Sequence, residues 1–381
     1  FMKTHGWFEN LAVRANIGTV GNQNFQLSQI MTLYNFLKMY DGVMGAEIMS
    51  IANPELKWQT TLNRNIGLEF SLLQGLVNLD FNYYSNITKN NLTDIAILPS
   101  TGFSTYKANM GKVRNQGYEF SLSITPIKKN GWIVNAFVNG AHNKNKLLNI
   151  SDALRDYNEV IKENQTAHLN YAGYTQLERI FLFEEGQSLN SIFAVHSMGI
   201  DPGTGQEIFV TADGVQTFQW NAADQVVVGN TEPTLKGYFG LNIDYKRWSF
   251  GANFQYSFGA DRYNKTLYEK IEGGNFAQNA DRRALTQRWT KPGDVAKYRG
   301  YGNTSQLKPT SRFVQKDDFL SMTSARLSYT LNANDLQALG ISLLKFTLST
   351  NDLFYVSTIK QERGLSYPFA RTFYFSLQAN F

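Results

Sequence analysis

Ten stretches of this 381-residue chain alternate apolar and polar residues, and the connections between them run long, short, long, short to the end. A period of two places successive side chains on opposite faces of a strand. The last stretch shows it most cleanly, with Phe373, Phe375, Leu377, Ala379 and Phe381 set against Thr372, Tyr374, Ser376, Gln378 and Asn380. Its polar set is uncharged. A strand facing bulk water normally carries Lys or Glu, whereas Ser, Asn, Gln and Tyr suit a wet, enclosed interior.

The other stretches read in order as Leu11 to Ile17, Ile66 to Ser71, Val77 to Tyr84, Tyr118 to Thr125, Trp132 to about His142, Phe239 to Tyr245, Trp248 to Phe258, Ala325 to Leu331 and Leu344 to Leu348. Facing is ambiguous in one of them, because Trp132, Val134 and Val138 share one parity while Ile133 and Phe137 share the other. Short turns are expected at Gln74-Gly75, Pro126 to Gly131, Lys246-Arg247 and Asn332 to Gly340, and Asn130-Gly131 is a strong hairpin signal because both residues tolerate positive φ. Trp7 to Asn10 reads as a further turn. The remaining connections, 19–63, 86–116, 143–236, 259–318 and 351–370, are long. Alternating runs within them, such as Ile208 to Thr211, predict small hairpins outside the main sheet.

A β-sandwich also alternates along each strand, but its strands average roughly 5 to 6 residues with loops of mixed length at both ends. Strands of about 9 to 12 residues, with every short turn on one side and every long loop on the other, fit a sheet that crosses a bilayer at a tilt. Trp132, Trp248, Tyr245 and Tyr329 cluster at the short-turn ends and Tyr83, Tyr118, Tyr256 and Phe373 at the opposite ends, where interfacial aromatic girdles belong. Composition agrees: 14% of residues are aromatic and only 18% charged, against roughly 25% charged in soluble domains. The mean hydropathy of −0.33 does not oppose a membrane, since barrel strands give a weak hydropathy signal. The expectation is an all-β chain, a transmembrane antiparallel β-barrel wall with long extracellular loops. A secreted β-sandwich binding protein is the soluble alternative.

The sequence points away from most reaction chemistry. It has no cysteine, which excludes thiol nucleophiles and Cys-ligated zinc. His5, His142, His168 and His196 are dispersed without metal-ligand spacing, so no metal and no cofactor is expected. The net charge of +5 is diffuse, and Arg282, Arg283, Arg288 and Lys291 are mixed with Asp281 and Asp294, so no nucleic-acid site is expected. Asp201-Pro-Gly-Thr-Gly205 lacks the repeated carboxylates of a calcium loop and reads as a turn. Ser188 and His196 lie close in sequence without a nucleophile elbow. An outer-membrane barrel hydrolase remains the enzymatic alternative, because a Ser–His pair across neighbouring strands leaves no trace in sequence spacing.

Several motifs resemble one family. They are Asn53-Pro-Glu-Leu-Lys-Trp58, Asn109-Met-Gly-Lys-Val-Arg-Asn-Gln-Gly-Tyr-Glu119, Asn139 to Asn145, Gly199-Ile-Asp-Pro-Gly-Thr-Gly205, Val228-Gly-Asn-Thr-Glu-Pro233, Arg288-Trp-Thr-Lys-Pro-Gly-Asp294, Phe319 to Thr330 and Tyr367-Pro-Phe-Ala-Arg-Thr-Phe-Tyr374. In this order they resemble the SusC/RagA-type TonB-dependent transporters of the Bacteroidota outer membrane. The resemblance implies a 22-stranded barrel in a Gram-negative outer membrane, a plug, and a SusD-like surface lipoprotein as cap. On this reading residues 1–381 are the carboxy-terminal part of one barrel, about ten strands, with plug, TonB-contacting segment and earlier strands absent from the chain. The expected activity is import of a glycan or oligopeptide, with no catalytic residue here and with Phe381 part of a barrel-assembly signal. The last loop, Ser357-Thr-Ile-Lys-Gln-Glu-Arg-Gly364, departs from the family's frequent Asp-Pro-Glu segment and leaves the substrate class open.

Transport requires a polar lumen and large loops. Asn82, Tyr84, Asn253 and Gln255, inward and near the extracellular ends, are the candidates for substrate contact, with plain wetting of the wall as the simpler role. Loop aromatics Trp220, Tyr263, Tyr268, Trp289, Tyr298 and Tyr301 are the candidates for contact with the lipoprotein, since Tyr and Trp make good interface anchors.

Overall fold

The computed structural model describes residues 8–23, 25–96, 102–103, 105–163, 182–274, 281–301, 307–332, 336, 340–360 and 370–381. Ten strands form one antiparallel meander: β1 (Phe8–Asn22), β2 (Gln59–Leu72), β3 (Val77–Lys89), β4 (Gly111–Lys129), β5 (Trp132–Ile150), β6 (Leu235–Tyr245), β7 (Trp248–Phe258), β8 (Phe319–Asn332), β9 (Leu343–Asn351) and β10 (Phe373–Asn380). Each pairs only with its neighbours in sequence, apart from a short strand, Tyr355–Ser357, that also pairs with β8. All ten expected strands are present. Among the described residues, β1 and β10 lack a partner on their outer edges.

Register carries the period-two pattern across the whole sheet. Leu11, Phe70, Leu79, Leu122, Val138, Phe239, Phe254 and Met322 stand side by side in one row over eight strands. On the other face, Ala12, Glu69, Asp80, Ser121, Asn139, Tyr238, Gln255 and Ser321 form the corresponding row. Large apolar side chains lie open on the first face, Val13 at 71% and Phe375 at 69% exposed. An apolar patch of this extent needs a cover, and lipid supplies one. At the short-turn end Trp132, Tyr245, Trp248, Tyr329 and Phe346 are successive cross-strand neighbours. The Trp132 and Tyr245 rings stack at 4.1 Å and those of Trp248 and Tyr329 lie 4.7 Å apart, forming the girdle expected there. Among the described residues no helix is long and apolar enough to cross a membrane.

Strand ends depart from the sequence reading. Strands β3 and β4 continue to Lys89 and begin at Gly111, and β5 runs to Ile150, inside stretches expected to be loop. Loop units pack over the strands here, so Lys112 to Gln116 and Asn143 to Lys146 carry polar residues at both parities while still pairing, apart from Val113, which is buried in a cluster with Leu147 and Leu154. Trp7 to Asn10 is not a turn as far as it is described: the strand starts at Phe8 and carries a bulge before Asn10. Nor is Pro126 to Gly131 a turn. Strand β4 continues to Lys129 through a bulge at Thr125-Pro126, where proline's missing N–H does not interrupt the ladder. Only Asn130 and Gly131 turn, with φ of 55° and 78°. His5, His168 and Tyr367 to Phe369 lie outside the described residues, as does most of the Asn332 to Gly340 turn.

The ambiguous strand β5 is settled by its neighbour. Val134, Ala136 and Val138 align with Ile243, Leu241 and Phe239 on the apolar face, and Phe137 aligns with Gly240 on the polar face. A Cβ at Gly240 would meet Phe137 Cε1 at 2.6 Å. The ring therefore occupies the space that glycine leaves.

The long connections hold small folded units. A hairpin, Tyr34–Tyr40 with Val43–Ile48, lies between β1 and β2, and another, Leu92–Ala96 with Thr105–Asn109, between β3 and β4. The connection after β5 contains a helix, Asp152–Glu163, and a four-stranded sheet in the order Gln216–Thr217, Glu207–Val210, Ser191–Ile200, Gln225–Asn230. Strand Glu207–Val210 falls where the alternation at Ile208 predicted one.

Candidate lumen wall and extracellular loop platform

The polar face is knitted by side chains between strands. Asn65 donates to Asn16 at 3.0 Å, Asn135 to Ser123 Oγ at 3.0 Å and Asn253 to Ser324 Oγ at 3.0 Å. Arg14 pairs with Glu69 at 2.5 Å. Such a surface is wet and hydrogen-bonding, with few isolated charges.

The four lumen candidates lie on two strands, Asn82 and Tyr84 on β3, Asn253 and Gln255 on β7. Asn82 Nδ2 donates to Asp80 at 2.7 Å. The Tyr84 hydroxyl donates to Asn143 Oδ1 at 3.0 Å, and Asn143 Nδ2 in turn donates to Glu232 at 2.5 Å. Asn190 Nδ2 reaches the other oxygen of Glu232 at 3.3 Å. Tyr84 thus belongs to a chain of contacts that moors the connection after β5 to the wall. Asn253 braces β7 against β8, its carbonyl also accepting from Thr323 Oγ1 at 3.1 Å.

Two long connections fold as one unit above this wall. Val195 bridges Thr310, Ser197 N donates to Ser311 Oγ at 3.0 Å and Asn230 N donates to Asp261 Oδ2 at 3.0 Å. A core of Leu267, Tyr268, Ile271, Ala284, Tyr298 and Phe313 lies within the second connection. Tyr268 meets Phe313 edge-on at 5.2 Å and its hydroxyl donates to Leu307 O at 2.9 Å. Burial raises the Tyr268 hydroxyl above the ordinary tyrosine range.

Buried charges join the two connections. Arg312 grips Glu207 with Nε at 3.1 Å and Nη2 at 2.9 Å, and reaches Glu272 with Nη1 at 2.5 Å. Arg299 Nε donates to the other oxygen of Glu272 at 2.9 Å, and Thr310 Oγ1 donates to Glu207 at 2.8 Å. Burial pulls the Arg312 guanidinium down, but the facing carboxylates outweigh it and hold it above the ordinary arginine value. Beside them Arg288 donates to the carbonyls of Ala284, Ile271, Glu272 and Arg299, and burial draws it below that value. Nothing in the spacing of these residues announces the cluster, because Glu207 is far in sequence from its partners.

This packing corrects part of the loop-aromatic expectation. Tyr268 and Tyr298 are buried, and Tyr263 packs against Tyr268 and Phe313 at 5.9 Å each. Tyr268 and Tyr298 thus lie in the loop core, and Tyr263 is partly buried against it. Tyr301 is exposed under the Arg288 guanidinium. Trp220 and Trp289 are half-buried, their ring N–H groups donating to Pro309 O at 3.2 Å and Pro202 O at 2.8 Å. The latter contact locks Asp201 to Gly205, whose Asp201 side chain accepts from Gly203 N and Thr204, as a turn.

A serine and a histidine do meet in the loops, Ser311 Oγ lying 3.3 Å from His196 Nδ1. Ser188 is instead tied to Asn145 and Asn190. Ser311 Oγ already accepts from Ser197 N, and no carboxylate hydrogen-bonds His196 among the described residues. The pair therefore lacks the group that would orient the ring as a base.

Residues 6–177 match the model of the family described as TonB dependent receptor-like, beta-barrel. TonB-dependent receptor P39 of Formosa agariphila is 27% identical over 93% of this chain and 37% of its own length. TonB-dependent receptor SusC of Bacteroides thetaiotaomicron is 26% identical over 74% of this chain and 28% of its own. Among solved structures, the RagAB peptide transporter superposes with a TM-score of 0.77 over 95% of this chain and 39% of that chain, at 23% identity. The chain spans little more than a third of the length of its leading curated relatives. Meander, lipid-facing row, polar inner row and these similarities converge: the chain is similar to TonB-dependent receptor β-barrels, SusC among them, and shares the fold of the RagAB transporter.

Proposed function

We propose that residues 1–381 are the carboxy-terminal part of the barrel of an outer-membrane importer for a large polar nutrient, a glycan or an oligopeptide. The observation that carries this reading is the ten-stranded wall, apolar outside, polar inside and, among the described residues, open at both edges. An open edge exposes a row of backbone donors and acceptors, and barrels remove edges by continuing the sheet. The plug and the segment that engages TonB belong to the remainder of the protein. A SusD-like surface lipoprotein covers the loops, with Tyr301, Trp220 and Trp289 as its contacts in the platform. Asn82, Tyr84, Asn253 and Gln255 contribute hydrogen bonds to the lumen. Gln255 has the freest amide of the four, because no partner holds it among the described residues. The chain performs no hydrolysis: its Ser–His pair is incomplete, and its relatives are receptors.

Uptake of labelled oligosaccharides and oligopeptides by cells with and without the gene tests this reading. We expect accumulation of one class, lost in the deletion strain and abolished by a protonophore. Equal uptake in both strains, or turnover of ester or peptide substrates by the purified protein that one serine substitution removes, overturns it.

A further inference from the structure

Toward the long-loop end, the lipid-facing side of the wall changes character over four adjacent strands. Ile66, Tyr83, Tyr118 and His142 are cross-strand neighbours on β2 to β5 and close the apolar face there. Beyond them the same parity continues as Arg64 on β2, Lys89 on β3, Lys112 and Arg114 on β4, and Lys144 and Lys146 on β5. Arg64, Lys89 and Lys144 are exposed and the other three half-buried. The opposite face is covered at this height, Val113 and Leu147 being buried under the loop units. No carboxylate shares the outward face. Glu69, Asp80 and Glu119, the acids of these four strands, all lie on the polar side.

The cations crowd here against their own repulsion. Lys89 stands directly opposite Lys112, and Arg114 directly opposite Lys146; like charges facing each other across strands destabilise a sheet. None of the six makes an ion pair or a side-chain hydrogen bond among the described residues. Arg114 Nε is enclosed without an acceptor among them. Gly186 lies beside the Lys146 stem, but the neighbouring carboxylates of Glu184 and Glu185 are engaged by Lys162 and Arg155. An outward face of this kind suits an anionic partner that neutralises several charges at once.

Height identifies that partner. The aromatic row marks the membrane interface. With about 3.3 Å of rise per residue and a tilt of about 45°, Arg64 and Lys144 stand roughly 5 Å above that row, Arg114 and Lys146 roughly 9 Å, and Lys89 and Lys112 roughly 14 Å. A phospholipid headgroup layer is about 5 to 8 Å deep and reaches only the lowest pair. A phosphorylated saccharide on an acyl anchor stands taller, so its phosphates meet the upper pairs while its chains lie on the apolar face. We propose that this outward patch binds a phosphorylated glycolipid of the outer leaflet, with the acyl chains against Phe81 and Phe120 and the phosphates on Lys89, Lys112, Arg114 and Lys146. Arg114 presents a fork that matches phosphate oxygens, and the lysines add point charge around it. The inference rests on the reading that the wall spans an outer membrane with its long loops at the cell surface.

The test uses the full-length protein in nanodiscs of zwitterionic phospholipid doped with a phosphorylated, multiply acylated disaccharide lipid, and counts the retained lipid by native mass spectrometry. We expect retention to fall about tenfold or more in the quadruple variant Lys89→Gln, Lys112→Gln, Arg114→Gln, Lys146→Gln. It should stay unchanged in Lys345→Gln, which removes a cation from the polar face. Equal retention by the wild type and the quadruple variant overturns the proposal. So does wild-type retention of the phosphate-free lipid, or of phosphatidylglycerol, at the same level, since apolar contact or general anion attraction would then be the whole effect. Carbene labelling from an acyl-chain diazirine in the same discs reports whether the wall is intact and lipid-facing. Label on Phe81 and Phe120 in both proteins, with no difference in retention, sinks the glycolipid site alone. Absence of label there in the wild type sinks the membrane-spanning wall and the site together.

Discussion

Glu272 lies fully enclosed between Arg299 and Arg312, and its partners are nearly as buried. Removing one member of such a cluster leaves charge without compensation in a place water cannot reach, at a cost of about 3 to 5 kcal/mol. Glu272→Ala is therefore expected to open the loop platform while the wall stays folded. Limited proteolysis in intact cells should cut within 259–318 in the variant and not in the wild type. Asp281 offers a gentler case. Its side chain accepts from Arg283, whose side chain and N–H hold the carboxyl well below the ordinary aspartate range. A depressed carboxyl contributes stability that is fully present above the unfolded value of about 3.9 and is lost as pH falls through the lower folded value. Protection of the Arg283 to Gln287 amides, relative to their intrinsic exchange rate at each pH, should fall below about pH 4. In Asp281→Ala it should already be low at neutral pH, since Asp281 is the N-cap of the short helix Arg282–Thr286 and the loss of such a cap is worth about 0.5 to 2 kcal/mol.

Adjacent residues of one strand have opposite solvents, which is the main lesson of the wall elements. Leu241 stands between Ala136 and Ala252 on the apolar face, and Asn242 next to it stands between Asn135 and Gly251 on the polar face. Lysine at the bilayer midplane of a barrel costs about 2 to 4 kcal/mol, whereas lumen positions tolerate charge. Leu241→Lys should lower the fraction of full-length protein that resists unfolding in detergent at room temperature, and Asn242→Lys should not. A gel-shift assay with and without heating reads both. Equal behaviour of the two variants would contradict the assignment of faces. The same alternation made the ten strands legible from residue types alone. It failed at the strand ends, where Lys112 to Gln116 and Asn143 to Lys146 carry polar residues at both parities and Val113, the one apolar residue among them, packs under the loops.

For the molecule as a whole, the outer edges of β1 and β10, unpaired among the described residues, govern behaviour. Unpaired edges of this length invite pairing with other chains. Residues 1–381 produced alone and refolded into micelles are expected to form edge-paired oligomers or aggregates, measurable by light scattering, where the full-length protein is monodisperse. A stable monomer of this part would show that the wall closes on itself.

The sequence by itself determined the wall: period two, connection lengths and aromatic ends are local properties, each written within a few residues of chain. It also determined that lipid and water lie on opposite faces, because every residue in a strand declares its own solvent. Only the tertiary structure decided what the loops do. Tyr268 and Tyr298 look like surface anchors by residue type and are core by packing, since burial depends on what folds over them. Glu207 meets Arg312 across a long stretch of chain. Such contacts depend on which segments the fold brings together in space, and no spacing along the chain encodes that.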